Sequence, residues 1–91
     1  MMAAFSGTVE KDRLTISEIR EWTFLPLITI YKSPSDFPGK YVARLWDLNR
    51  PTPVAVIADT YDKLTERLPL EVMTKMPRRP EDDPVIMEVW M

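Results

Sequence analysis

The sequence contains neither cysteine nor histidine. The absence of cysteine excludes disulfides, thiolate nucleophiles and zinc–thiolate sites, and the absence of histidine removes the usual proton shuttle and metal ligand near neutral pH. Glycine occurs only twice, whereas proline occurs nine times. We therefore expect a protein that is not an enzyme and has no cofactor, with several turns marked by proline.

The 91 residues are enough for a single hydrophobic core. No apolar run approaches the roughly 18 residues that a membrane-spanning helix needs, and the N-terminus lacks the pattern of a signal peptide. These features predict a cytoplasmic protein without a membrane partner. We divide the chain into an N-terminal extension, residues 1–22, and one small domain, residues 23–91.

A proline-glycine turn at residues 37–40 organises the middle of the chain. Pro38 suits a φ near −65° and Gly39 suits a positive φ, so the pair predicts a type II turn. The residues that follow alternate between two faces, as in a strand. The more apolar set, which we assign to the core, is Tyr41, Ala43 and Leu45.

The sequence predicts an α+β fold built on a small antiparallel sheet. Three strands form a meander, at residues 27–32, 40–48 and 54–58, with a proline turn at 49–53. The apolar segment at residues 85–91 predicts a C-terminal strand that lies inside the sheet or is covered.

One main helix is expected to begin at Asp59 or Thr60 and to end near Leu68, before Pro69. A second, short helix is expected near residues 15–22, because Thr15 and Glu18 fit a capping box. Leu14 and Ile16 also alternate as in a strand, so a strand is the alternative. Residues 1–13 are interpreted as a loose polar arm.

The sheet face opposite the core is the first candidate site. Alternation places Ile28, Ile30, Ala43, Leu45, Val54 and Val56 in the core, and aromatic and basic side chains on the other face. Such a face can bind single-stranded nucleic acid by stacking and phosphate contacts. The alternative is that Trp22, Phe24 or the N-terminal helix covers it. The candidate binding residues are Tyr31, Lys32, Lys40, Arg44, Trp46 and Arg50.

Carboxylates and serines provide only weak candidates for chemistry. Asp47, Asp59, Asp62 and the acidic cluster at 81–83 have oxygen ligands that suit magnesium or calcium, but their spacing matches no calcium loop and helix capping accounts for Asp59 and Asp62. Ser33 and Ser35 lack a histidine to activate them and are interpreted as turn residues. We therefore predict no catalytic residue and no metal ligand, and keep a carboxylate metal site as a remote alternative.

Two segments resemble one known family. The runs LITIYKSPSDFPGKYVARLWD and PRRPEDDPVIMEVWM are similar to those of a family of short uncharacterised bacterial proteins, some associated with mobile elements. The resemblance implies a self-contained unit that begins near Leu27. It implies no activity, ligand or site.

The leading functional hypothesis is a small interaction or regulatory module. Short strands flanked by proline still leave sheet edges that can pair with another chain, and methionines such as Met73, Met76 and Met87 can add an adaptable surface. The expected partner is another protein or a second copy of the chain. Single-stranded nucleic-acid binding is the alternative.

Overall fold

The computed structural model describes residues 8–76 and 86–91. It contains two helices, a short 3₁₀ helix at Leu70–Val72 and six strands. The helices are α1 (Ile16–Trp22) and α2 (Tyr61–Glu66), and the strands are β1 (Val9–Glu10), β2 (Pro26–Lys32), β3 (Tyr41–Asp47), β4 (Arg50–Ala58), β5 (Lys75–Met76) and β6 (Ile86–Trp90).

All six strands form one sheet in the order β1-β4-β3-β2-β6-β5. The β2-β3-β4 meander is antiparallel, and β6 pairs with β2 on its other side. The predicted α+β fold and the predicted position of the C-terminal strand inside the sheet are thus confirmed. The prediction of a purely antiparallel four-stranded sheet is wrong, because β1 pairs in parallel with β4. The two additional strands, β1 and β5, have two residues each and are too short to show a period-2 pattern in the sequence.

Both helices pack on the same face of the sheet. Ile19 of α1 and Leu64 of α2 are buried in the same cluster as the sheet residues. The predicted inward residues Ile28, Ile30, Ala43, Leu45, Val54 and Val56 are all fully buried in it.

Threonine side chains define the start of each helix. The Thr15 hydroxyl accepts a hydrogen bond from the Glu18 backbone N–H, and the Thr60 hydroxyl accepts one from Lys63. The short N-terminal helix is therefore confirmed over the strand alternative. The main helix begins as predicted but has its last helical residue at Glu66, short of Leu68, which is buried just beyond it.

The turn between β3 and β4 differs from the prediction at residues 49–53. It consists of Leu48 and Asn49 only, and Pro51 and Pro53 lie inside β4. The register shifts here, and the Thr52 hydroxyl donates a 2.7 Å hydrogen bond to the Leu45 carbonyl. Pro51 and Pro53 have no N–H to donate to β3, and the Thr52 hydroxyl provides a donor in their place. The strand can therefore continue through the two prolines.

The turn at residues 37–40 is confirmed. Gly39 has a φ of +79°, and the Lys40 N–H donates to the Phe37 carbonyl at 3.2 Å. The loop is closed at its base by the Ser33 hydroxyl, which accepts from the Gly39 N–H at 2.9 Å. The β2–β3 connection is therefore a defined structure.

The prediction of a loose arm over residues 1–13 is wrong for the described part. Val9 and Glu10 pair with β4, and the Lys11 N–H donates to the Ala55 carbonyl at 2.8 Å. Residues 1–7 lie outside the described residues. The division between residues 22 and 23 stays a prediction, although Leu14 and Ile19, which precede it, belong to the shared core.

Candidate interaction surfaces

The outer face, defined as the face of the sheet away from the helices, contains three of the six predicted binding residues. Tyr31, Arg44 and Trp46 are half-buried there. Lys32 and Arg50 are exposed but pair with opposite ends of β3. Because six residue steps of strand span about 20 Å, Lys32 and Arg50 do not belong to one compact site.

The two other basic residues of the predicted site already have carboxylate partners. Arg44 forms an ion pair with Asp36, and only 19% of its side chain is exposed. Lys40 forms an ion pair with Asp59, and this hydrogen bond lowers the pKa of the Asp59 carboxyl. The charge of each cation is therefore partly neutralised by a neighbouring carboxylate.

Neither α1 nor Phe24 covers the outer face, contrary to the alternative prediction. Ile19 anchors α1 on the opposite, core-facing side, and Phe24 is 93% exposed. Instead, the β2–β3 loop reaches this face through the ion pair between Asp36 and Arg44. Trp46 is half-buried, and its buried Nε1 meets no acceptor within the described residues.

Glu88 of β6 is the centre of a polar cluster on the core-facing side. Its carboxylate accepts hydrogen bonds from the Tyr61 hydroxyl at 2.6 Å and the Trp90 Nε1 at 2.9 Å, and lies 3.4 Å from the Lys75 Nζ. The Glu88 side chain is only 10% exposed. The cluster ties α2 and β5 to β6.

The pKa values in this cluster oppose proton transfer near neutral pH. Burial acts to raise the pKa of Glu88, but the hydrogen bonds from Tyr61 and Trp90 and the charge of Lys75 outweigh burial and lower it. Burial, followed by the hydrogen bond to Glu88, raises the pKa of Tyr61 to about 12. Glu88 therefore stays ionised and Tyr61 stays neutral, so the cluster is suited to holding the fold together.

A different surface carries exposed apolar side chains. It lies at the end of the sheet that contains the starts of β2 and β5, the end of β6 and the β3–β4 turn. We call this surface the apolar end. Its members are Trp22, Phe24, Leu25, Leu48, Val72 and Met91. Among the described residues, Val9 is the one other large apolar side chain that is exposed.

The backbone register brings these residues to the same end of the sheet. The Leu48 N–H donates to the Leu25 carbonyl at 2.7 Å, which joins the β3–β4 turn to the start of β2. The Asp47 carboxylate accepts hydrogen bonds from the Phe24 and Leu25 N–H groups at 3.2 and 2.9 Å. On the other side of β2, Met91 and Thr74 exchange two backbone hydrogen bonds of 2.8 and 2.9 Å. The apolar residues are thus held on a hydrogen-bonded frame.

An open cavity of about 170 Å³ lies within the apolar end. Its walls come from α1, the start of β2, the segment before β5 and the residue after β6. The lining residues include Ile16, Ile19, Arg20, Pro26, Val72 and Met91.

Sequence reasoning missed this surface for a physical reason. It interpreted Trp22 and Phe24 as a cover for the outer face, and the other members are single apolar residues with no shared periodicity. Leu48 has a φ of +57°, a conformation that leucine rarely adopts and that no sequence pattern indicated. Only the register of the sheet places these residues together.

Comparisons with known protein families, curated proteins and solved structures find no match. The resemblance of two segments to a bacterial family therefore stays a prediction. No helix within residues 8–76 and 86–91 is long and apolar enough to cross a membrane. In the same ranges no three acidic side chains are grouped as metal ligands would be, and the acidic cluster at 81–83 lies outside them.

Proposed function

We propose that this protein is a non-enzymatic interaction module that binds another protein through the apolar end. The observation that carries the proposal is that nearly all of the large apolar side chains exposed among the described residues gather at one end of the sheet. Scattered apolar residues are normal on a surface, whereas a contiguous exposed group is typical of an interaction site. A cytoplasmic location is part of the proposal.

The exposure of Phe24 supports binding over a purely structural role. Its ring is 93% exposed, so it contributes almost nothing to the core. Aromatic side chains bury large areas when they are covered by a partner and are enriched at the centres of interfaces. The neighbouring N–H groups of Phe24 and Leu25 are fixed by Asp47, which reduces the entropy lost on binding.

Leu48 adds a second argument from backbone strain. A leucine with a φ of +57° is destabilising by about 1 to 2 kcal/mol relative to an ordinary conformation. Its side chain is 46% exposed, so core packing recovers only part of that cost. Residues in such conformations cluster at functional positions, although Ser33 in the β2–β3 loop also has a positive φ, of +51°.

The nucleic-acid alternative has less support. Arg44 and Lys40 are both engaged with carboxylates, Trp46 is half-buried, and the whole chain has a net charge of −2. Phosphate binding depends on cations that can release counterions from the nucleic acid. This alternative stays a prediction that the same experiment tests.

The experiment compares the immobilised full chain with two double variants in extracts of the cells that express it. One carries Phe24→Ser and Val72→Ser at the apolar end. The matched control carries Lys32→Ser and Glu66→Ser, which change exposed residues away from that end and leave the net charge unchanged. We expect saturable binding of protein to the wild type and the control, and its loss in the apolar-end variant.

Equal binding by both variants, or no saturable binding at all, would contradict the proposal. Fluorescence polarisation with labelled single-stranded oligonucleotides at low salt tests the alternative in parallel. Oligonucleotide binding that weakens with salt and with Arg44→Ala would favour the outer face instead.

A further inference from the structure

We infer that the apolar end binds a second copy of this chain, with Phe24 of each protomer inserted into the apolar cavity of the other. The inference rests on the proposed function and identifies its partner.

The first step is that one surface carries both a projecting group and a receptor for it. Phe24 projects into solvent, and Pro26, two residues further along the chain, lines the cavity. An interface with two-fold symmetry uses the same patch on both subunits, so that patch must be complementary to itself. A heterologous partner would require only one of the two features.

The second step is a match of size and chemistry. The cavity has a volume of about 170 Å³, and apolar cavities of roughly 150 Å³ are known to take up benzene. Its walls are mostly aliphatic and thioether groups, with one guanidinium, that of Arg20. A phenyl ring fits such a site, and Arg20 can pack against the ring face.

The charged residues at the apolar end are of both signs. Arg20 and Glu21, adjacent in the last turn of α1, are exposed and form no ion pair with other described residues. Asp47 and Arg50 are opposite each other beside the β3–β4 turn. The apolar end therefore carries both signs, and the net charge of −2 produces little repulsion between copies.

The test measures the oligomeric state of the full chain by sedimentation equilibrium over a range of concentrations. We expect a monomer–dimer equilibrium for the wild type. Phe24→Ser removes a ring that is 93% exposed, so the fold is retained, and the dissociation constant should rise roughly 30-fold or more. The matched control is Val9→Thr, at an exposed apolar residue on β1, which should leave the equilibrium unchanged.

A mixing experiment tests reciprocal insertion directly. Val72→Asp places a carboxylate at the cavity, and Met91→Asp serves the same purpose if the first variant unfolds; both residues are more than half exposed. Each variant alone should be a monomer. A mixture of Phe24→Ser with Val72→Asp should recover association, because the intact Phe24 of one chain meets the intact cavity of the other.

The outcomes separate the two proposals. A wild-type chain that stays monomeric overturns self-association, and the capture experiment above then decides whether the apolar end binds a different protein. A dissociation constant that stays at the wild-type value in Phe24→Ser, or a mixture that associates no more strongly than either variant alone, overturns reciprocal insertion. Loss of both self-association and saturable capture overturns the interaction module as well.

Discussion

Two regions of this small protein differ in whether their side chains have partners within the fold. In the first, which we call the polar half, Arg44, Lys40 and Tyr61 each have a carboxylate partner, namely Asp36, Asp59 and Glu88. In the second, the apolar end, large side chains from Trp22 to Met91 remain in contact with water. Folding gives these polar groups hydrogen-bond or ion-pair partners, whereas it leaves the apolar side chains of the apolar end exposed.

This difference indicates where binding energy remains available. The cations of the polar half already have carboxylate partners, and a ligand that replaces those partners gains little, because a surface ion pair contributes only about 0 to 1 kcal/mol. A partner at the apolar end instead removes apolar area from water at roughly 25 cal/mol per Å². The aromatic and basic residues prominent in the sequence are thus less favourable for binding than the apolar residues that no sequence pattern grouped.

The largest expected effect comes from breaking the polar half at Glu88. Glu88→Ala removes the acceptor for Tyr61 and Trp90 and should lower the free energy of unfolding by about 2 to 4 kcal/mol, since both donors lose their partner. Glu88→Gln keeps one acceptor oxygen and should lose roughly half as much. Urea denaturation measures both. Wild-type stability in Glu88→Ala would show that the cluster does not stabilise the fold.

The next effect is expected at the turn that closes the β2–β3 loop. Gly39→Val should destabilise by about 1 to 3 kcal/mol, because a β-branched residue would be held at a φ of +79°. An added Cβ meets no atom within 4 Å, so the cost is one of backbone conformation alone. Gly39→Asn is the control and should cost less, since asparagine tolerates this region. Equal melting temperatures for the glycine and valine proteins would contradict the type II turn.

At the apolar end a substitution is expected to stabilise the protein. Leu48→Asn relieves the strain of a φ of +57° and should raise the free energy of unfolding by about 0.5 to 1 kcal/mol. Leu25→Asn is the matched control, because it removes an exposed leucine that has no positive φ. If Leu48→Asn and Leu25→Asn change the free energy of unfolding equally, the positive φ of Leu48 does not destabilise the protein. A Leu48→Asn protein that is more stable but binds its partner more weakly would show that Leu48 contributes to binding at a cost in stability.

The last expected effect is in the pH dependence of stability, which reports on the polar half. The pKa of Glu88 is lowered by folding, so its contribution is present above its ordinary value of 4.5 and is lost as the pH falls below it. The pKa of Tyr61 is raised from 10.0 to about 12, so its contribution is present below pH 10 and is lost as the pH rises through that interval. Thermal melts across pH should show both slopes. Glu88→Gln should flatten the acid slope, and Tyr61→Phe should flatten the alkaline one. Unchanged slopes would show that these two groups do not cause the pH dependence.

Much of the fold was predictable because local rules agreed with the tertiary structure. Thr15 and Thr60 capped helices where their spacing indicated, and Gly39 adopted the positive φ that its turn required. Alternation identified six of the seven sheet residues in the buried core cluster, the seventh being Ala58. The β3–β4 turn was misplaced because the two prolines of β4 indicate a break, which the Thr52 hydroxyl compensates from within the strand.

The candidate site was less predictable, because proximity on a surface depends on register. Sequence reasoning identified Tyr31, Arg44 and Trp46 as neighbours, since they lie on adjacent strands. No sequence pattern indicated that Asp36 would form an ion pair with Arg44, or that Asp59 would form one with Lys40. Those pairings depend on where two loops meet the sheet.

Composition and the periods of two and 3.6 residues were enough to predict the class of fold, the core-facing residues and the absence of cysteine and histidine chemistry. The tertiary structure decided that a parallel strand joins the sheet edge, that α1 packs on the core side and that six separate apolar residues share one surface. Each of these depends on contacts between segments distant along the chain. Such contacts are selected by the packing of the whole core, and no local pattern encodes them.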